Sequence, residues 1–130
     1  LLKLGRFGIA FHEHEINLAG GALVVKHGSY VRRYSGMSAK AELEAERYSV
    51  SGISGHVHRL GHTQVRTRRG IVGWWEGGCL CDLNPEYVRN PDWHHGVTLV
   101  WAKADGEAFN VQSIPFFGNK ALIDGREVRA

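Results

Sequence analysis

A single helix-forming stretch, Ala39-Lys40-Ala41-Glu42-Leu43-Glu44-Ala45-Glu46-Arg47, stands between two short strand-like runs that each end in a histidine beside a glycine. The first run, Ala22-Leu23-Val24-Val25, leads into Lys26-His27-Gly28, and the second, Ser49 to Ser54, delivers the chain into Gly55-His56-Val57-His58-Arg59. The helical stretch is built from strong helix formers, and Ser35 or Ser38 is positioned to cap it. The rest of the chain reads as short strands joined by turns. Ile9 to Ile16 roughly alternates and is expected to pair with residues 22–25 across the Gly20-Gly21 turn. Thr63 to Arg69 and Ile71 to Glu76 are expected to form a hairpin around Gly70, and Val97 to Trp101 another with Phe109 to Ile114 across an Asp105-Gly106 turn. A last small hairpin is expected from Ala121-Leu122-Ile123, Asp124-Gly125 and Glu127-Val128. The pattern predicts a β-rich α+β chain with one helix placed between two strand-terminal histidine motifs.

Length and composition narrow the function classes. With 130 residues, 43% hydrophobic and 22% charged, the chain suits one domain over residues 1–130 with a real core. Sixteen Lys and Arg against 13 Asp and Glu give a formal charge of +3, which permits a polyanionic partner but falls short of a protein that coats nucleic acid. No apolar stretch approaches the roughly 20 residues that span a bilayer. The opening Leu1-Leu2-Lys3-Leu4 has no signal-peptide pattern, so a cytoplasmic protein without a membrane partner is expected. That opening leucine also raises the expectation of residues upstream of position 1. Cys79 and Cys81 are too close for an unstrained disulfide and are read as reduced thiols.

The histidines carry the chemistry. A neutral imidazole binds zinc, manganese, iron or nickel, and a His-x-His pair in a glycine-relaxed turn lets two imidazoles converge. Alone, His56-x-His58 is a weak signal that fits surface or hydrogen-bonded histidines better than a metal site. Its context is more specific: the Gly55-His56-Val57-His58-Arg59 turn follows a helix and an earlier strand that ends in His27-Gly28.

With these motifs the chain resembles the C-terminal part of the calcineurin-like metallophosphoesterases, especially their small phage and bacterial members, from about Gly8 to the C-terminus. Softer matches are Tyr30-Val31-Arg32-Arg33, Gly78-Cys79-Leu80-Cys81-Asp82-Leu83, and Asp92-Trp93-His94-His95-Gly96-Val97 leading into a strand. The resemblance implies the C-terminal half of that family's α/β sandwich, mostly antiparallel hairpins with one helix. It implies metal-dependent hydrolysis of a phosphomonoester or phosphodiester, with a nucleotide or nucleic acid among the substrates. It also implies two divalent ions, manganese foremost with iron, nickel or zinc as alternatives, His27 and His56 on one ion and His58 on the other. Such ions activate water and neutralise charge on the phosphate oxygens. Arg59 would then bind the substrate phosphate, against the plainer reading of a salt bridge.

Half of the implied ligand set is missing. The family's Asp-x-His, Gly-Asp and Gly-Asn-His motifs lie upstream of these histidines, whereas Asp82, Asp92, Asp105 and Asp124 all lie downstream. Asp92-Trp93-His94 spells Asp-x-His but follows the histidine turn, where a structural Trp before a strand is the better reading. A homodimer repeats the deficit. The expectation is therefore a split or truncated domain, inactive alone, whose N-terminal half is another polypeptide or a missing upstream segment, in the host cytoplasm if phage-encoded. The alternatives are a non-catalytic structural or interaction remnant of the fold, for example in a phage assembly, and a mononuclear site on the three histidines.

Other residues have plainer readings. Cys79-Leu80-Cys81 is expected to be buried structural thiols rather than metal ligands. Trp74 and Trp75 face opposite sides of a strand, one in the core and one at a surface or interface. His12, His14, His62, His94 and His95 are expected as solvated or hydrogen-bonded side chains.

Overall fold

The computed structural model describes residues 3–104 and 106–129, so Leu1 and Leu2 of the opening and Asp105 of the Asp105-Gly106 turn lie outside the described residues. Strand β1 (Ile16–Leu18) and strand β2 (Leu23–Lys26) form the first hairpin, with Ile16 opposite Val25. The strand expected from Ile9 begins only at Ile16. Ile9 and Phe11 are 52% and 78% exposed, and an alternating pattern with no sheet or core to cover it has little to hold it extended.

Helix α1 (Met37–Ala45) follows, then strands β3 (Ser51–Ser54), β4 (Leu60–Thr67) and β5 (Gly70–Gly77). These strands form one mixed sheet in the order β1-β2-β3-β5-β4. Strand β2 runs parallel to β3, and β3 parallel to β5, so α1 is the crossover of a β-α-β unit. The β4–β5 hairpin turns at Arg68-Arg69, just before the expected Gly70. The second sheet is an antiparallel meander of β6 (Gly96–Ala102), β7 (Phe109–Phe117), β8 (Lys120–Ile123) and β9 (Arg126–Arg129). Asp124 and Gly125, at φ +50° and +75°, make its last turn, as the Asp-Gly pair predicts. With five of seven strand pairings antiparallel and one α-helix, the described chain is α+β and β-rich.

Strand β5 shows how the layers stack. Trp74 is fully buried against Ala39 and Leu43 of α1, while Trp75, 8% exposed, packs with Leu23 and Ile53 and meets Val100, Phe109 and Val111 of the second sheet. Both tryptophans are therefore in the core, where the sequence predicts one at a surface or interface. At residues 73–76 the first sheet is covered on both faces, so neither tryptophan of β5 reaches solvent there. Burying a tryptophan removes about 150–250 Å² from water, which is worth about 4–6 kcal/mol before entropy.

The helix begins two residues earlier than its composition predicts. Neither Ser35 nor Ser38 caps it: Gly36 occupies the N-cap at φ +79°, and the fully buried Glu76 carboxylate of β5 accepts from Gly36 N (3.2 Å) and Ala39 N (2.9 Å). A carboxylate at a helix N-terminus satisfies orphan amides and complements the helix dipole. The helix stops before Arg47 and Tyr48 because both take left-handed backbone, at φ +52° and +56°. Among the described residues no helix is long and apolar enough to cross a membrane.

Candidate metal centre

Because β2 and β3 are parallel neighbours in register, Lys26 opposite Ser54, their C-terminal ends lie at one edge of the sheet, where ligand sites of α/β sheets form. The next residues carry His27 and His56 there. Their rings are exposed, 4.8 Å apart between centroids at 70°, with His27 Nε2 2.9 Å from His56 Nδ1. Two nitrogens each about 2.1 Å from one ion and about 90° apart would be about 3.0 Å from each other. The spacing fits an ion held by both rings, and equally a proton shared between them.

The turn after His27 is fixed from beneath. Gly28 sits at φ +98°, and a Cβ there would lie 2.9 Å from Ser54 Cβ, so glycine is required. Glu42 of α1, 1% exposed, accepts through Oε1 from the Ser29 and Tyr30 amides, and its Oε2 pairs with Lys26 Nζ at 3.0 Å. Lys26 also reaches Glu46 at 2.8 Å. Burial alone would raise the Glu42 pKa, but the two amides and Lys26 outweigh it and hold the carboxyl below its ordinary value. Burial likewise opposes the charge on Lys26, and its two glutamates outweigh that and raise its pKa.

His58 turns elsewhere. Val57 is buried between the two histidines, and its amide donates to the Gly55 carbonyl (2.7 Å). The His58 ring meets Trp93 edge-on, 4.3 Å between centroids, and its Nδ1 lies 3.8 Å from Cys81 Sγ. Among the described residues, the group of three or more His, Cys, Asp or Glu donors that lie mutually within 4.8 Å is His58, Cys79 and Cys81. The structure thus brings His27 and His56 together and pairs His58 with thiols. Those thiols are not the buried structural pair that the sequence predicts: Cys79 is half-buried and Cys81 exposed. They lie after β5 leaves the core, where Cys79 is bridged to His95. Burial pushes the Cys79 thiol pKa up, and the neighbouring Cys81 thiol adds to the rise.

Arg59, expected at a phosphate, faces inward and is 3% exposed. Nη1 donates to the Arg33 carbonyl (3.0 Å) and to Asp92 (2.7 Å), and Nη2 to the Arg32 carbonyl (2.6 Å) and the Ser38 hydroxyl (3.1 Å). With both terminal nitrogens engaged, it ties the histidine turn to the segment before α1. Asp92 is committed to this pair. His12 and His14 are exposed outside any strand, and His62 stacks on Trp75 at 15° and 6.5 Å. His94 Nδ1 accepts from Leu60 N at 3.1 Å, and His95 Nε2 donates to the Cys81 carbonyl at 2.6 Å.

Sequence reasoning misses Glu42 and Trp93 as neighbours of the histidines. The signal for Glu42 is an acidic residue on what becomes the buried face of the only predicted helix; Trp93 carries none beyond its place before a strand. No protein-family model, curated protein or solved structure matches the chain, and what the centre does is read from its own side chains.

Proposed function

We propose that this chain supplies the imidazole side of a two-metal centre that hydrolyses phosphoesters, the carboxylate ligands coming from a polypeptide or segment outside these residues. The observation that carries this reading is the 2.9 Å approach of His27 Nε2 to His56 Nδ1, made by residues 29 positions apart. Neutral imidazoles at that spacing suit manganese, iron, nickel or zinc, but two uncharged ligands leave a divalent ion uncompensated, so acidic partners are required. When bound, the ions supply Lewis acidity toward the phosphoryl oxygens and activate water. Within the chain, His27 and His56 bind, and Gly28 and Glu42 orient the turn that carries His27. His58 is the imidazole available to a second ion, provided it leaves Cys81. The formal charge of +3 suits an anionic ester, a nucleotide or nucleic acid included.

The test is a manganese-dependent phosphatase and phosphodiesterase assay on this chain alone and mixed with the polypeptide encoded immediately upstream. Activity is expected only in the mixture, and it is lost in His27→Ala and His56→Ala. An inactive mixture, or activity that survives His56→Ala, overturns the reading. A metal-free, stable oligomer would instead mark a structural module.

A further inference from the structure

The structure assigns to His58, Cys79 and Cys81 a metal site of its own, for a thiophilic divalent ion of the zinc class. Their donor atoms lie within 4.8 Å of one another, with Cys81 Sγ 3.8 Å from His58 Nδ1. In a tetrahedral zinc site, bonds of about 2.3 Å to sulfur and 2.0–2.1 Å to nitrogen put sulfur and nitrogen about 3.6 Å apart and two sulfurs about 3.8 Å apart. Side-chain adjustments of an ångström or less bring all three donors to that spacing.

Three further observations point the same way. The cysteines are unpaired, one half-buried and one exposed, so neither packing nor a disulfide accounts for them. The two chain segments that carry the donors are already locked together: His94 N donates to the His58 carbonyl (2.8 Å), Cys79 N to the His94 carbonyl (3.1 Å), and Gly78 N to the Arg59 carbonyl (2.8 Å). Such cross-links hold donors in place before an ion arrives. The charge also closes. On binding, both thiols release their protons to solvent, and two thiolates with a neutral imidazole offset the charge of a divalent ion, which the His27–His56 pair cannot do. Three protein donors leave a fourth position for water or a partner's ligand. Trp93 covers one side of the imidazole and limits solvent there.

The assignment does not rest on the phosphoesterase reading, but the two compete for one imidazole: an ion held here withdraws His58 from a two-metal centre. Cobalt(II) titration of the purified full chain under reducing conditions tests it. The expected result is a near-ultraviolet thiolate-to-cobalt charge-transfer band with visible bands of tetrahedral strength, reversed by zinc. Cys81→Ser, at an exposed position that leaves folding intact, abolishes the charge-transfer band or halves it. His58→Ala weakens binding by roughly tenfold or more. His27→Ala and His56→Ala leave the thiolate charge-transfer band unchanged, because no thiol lies at that pair. Absence of the band in the folded wild-type chain, a band undiminished in Cys81→Ser, or one lost in His27→Ala overturns the assignment. None of these outcomes depends on phosphoesterase activity, so the two proposals fail separately.

Discussion

His56 and His58 hold the same left-handed backbone, at φ +63° and +58°, on either side of the buried Val57. For a residue with a Cβ this conformation costs roughly 1–2 kcal/mol, and such strain collects where a side chain must be aimed rather than where a fold is merely stabilised. Glycine removes the cost. His56→Gly is therefore expected to exceed His56→Ala in stability by about 1 kcal/mol, and to equal or exceed the wild type, when the chain is unfolded in urea with a chelator present. If the proposed two-metal reading holds, both variants also lose divalent-ion binding at the His27–His56 pair when titrated without the chelator. Equal stability of the Gly and Ala variants would show that the turn carries no such strain.

Arg59 separates a structural role from a substrate role. Its guanidinium serves the Arg32 and Arg33 carbonyls and the Ser38 hydroxyl, which a lysine cannot reach together. Arg59→Lys should cost about 2–4 kcal/mol, because buried acceptors lose their donors. Asp92→Asn should cost under about 1 kcal/mol, since the Asp92 side chain is 60% exposed and screened. Chemical denaturation of the two variants checks both figures. A stable Arg59→Lys variant would return the residue to the substrate.

What the sequence makes legible follows the range of the interaction. The helix shows, displaced by two residues, in the composition of residues 39–47, the Asp124-Gly125 turn in its dipeptide, and the two histidine turns in their glycines, because each is decided within a few residues. The parallel pairing of β2 with β3 is not written locally, yet it alone places His27 beside His56. The burial of Trp75 depends on a second sheet that begins some 20 residues later, at Gly96. Glu76 reads as an ordinary strand residue until the helix start arrives above it. Cys79 and Cys81 look like core thiols because cysteine usually is buried, and only the path of the chain after β5 brings them to His58.

Gly52 and Trp74 pair across β3 and β5 so closely that a Cβ on residue 52 would lie 2.3 Å from the indole ring, whose Nε1 donates to Ser54 Oγ at 3.0 Å. Rigid neighbours on both faces leave the ring little room to withdraw. Gly52→Ala is expected to cost about 3 kcal/mol by overpacking and to shift the tryptophan fluorescence. In a Trp74→Leu background the same change should cost less than about 1 kcal/mol, because the ring it strikes is gone. Equal costs in the two backgrounds would place the strain in the backbone instead.

Glu42 gives the fold a pH dependence of predictable sign. Its folded pKa lies below the ordinary 4.5, so its contribution is fully present above about pH 4.5 and is lost as pH falls through the folded value. Lys26 acts at the other end: its pKa is raised above 10.5, so its share is present below that value and disappears as pH rises through the raised one. Glu42→Gln keeps the shape but removes the charge that the Ser29 and Tyr30 amides and Lys26 share, which should cost about 2–3 kcal/mol at neutral pH. Urea unfolding from pH 3 to pH 6 should show the wild-type curve steepening below about pH 4.5 and the variant curve flatter there. Because the same carboxylate fixes the turn after His27, the variant should also bind ions at the His27–His56 pair roughly tenfold more weakly at neutral pH, where it is still folded. An acid limb as steep in Glu42→Gln as in the wild type would assign that limb to other carboxylates and remove Glu42 from the support of His27.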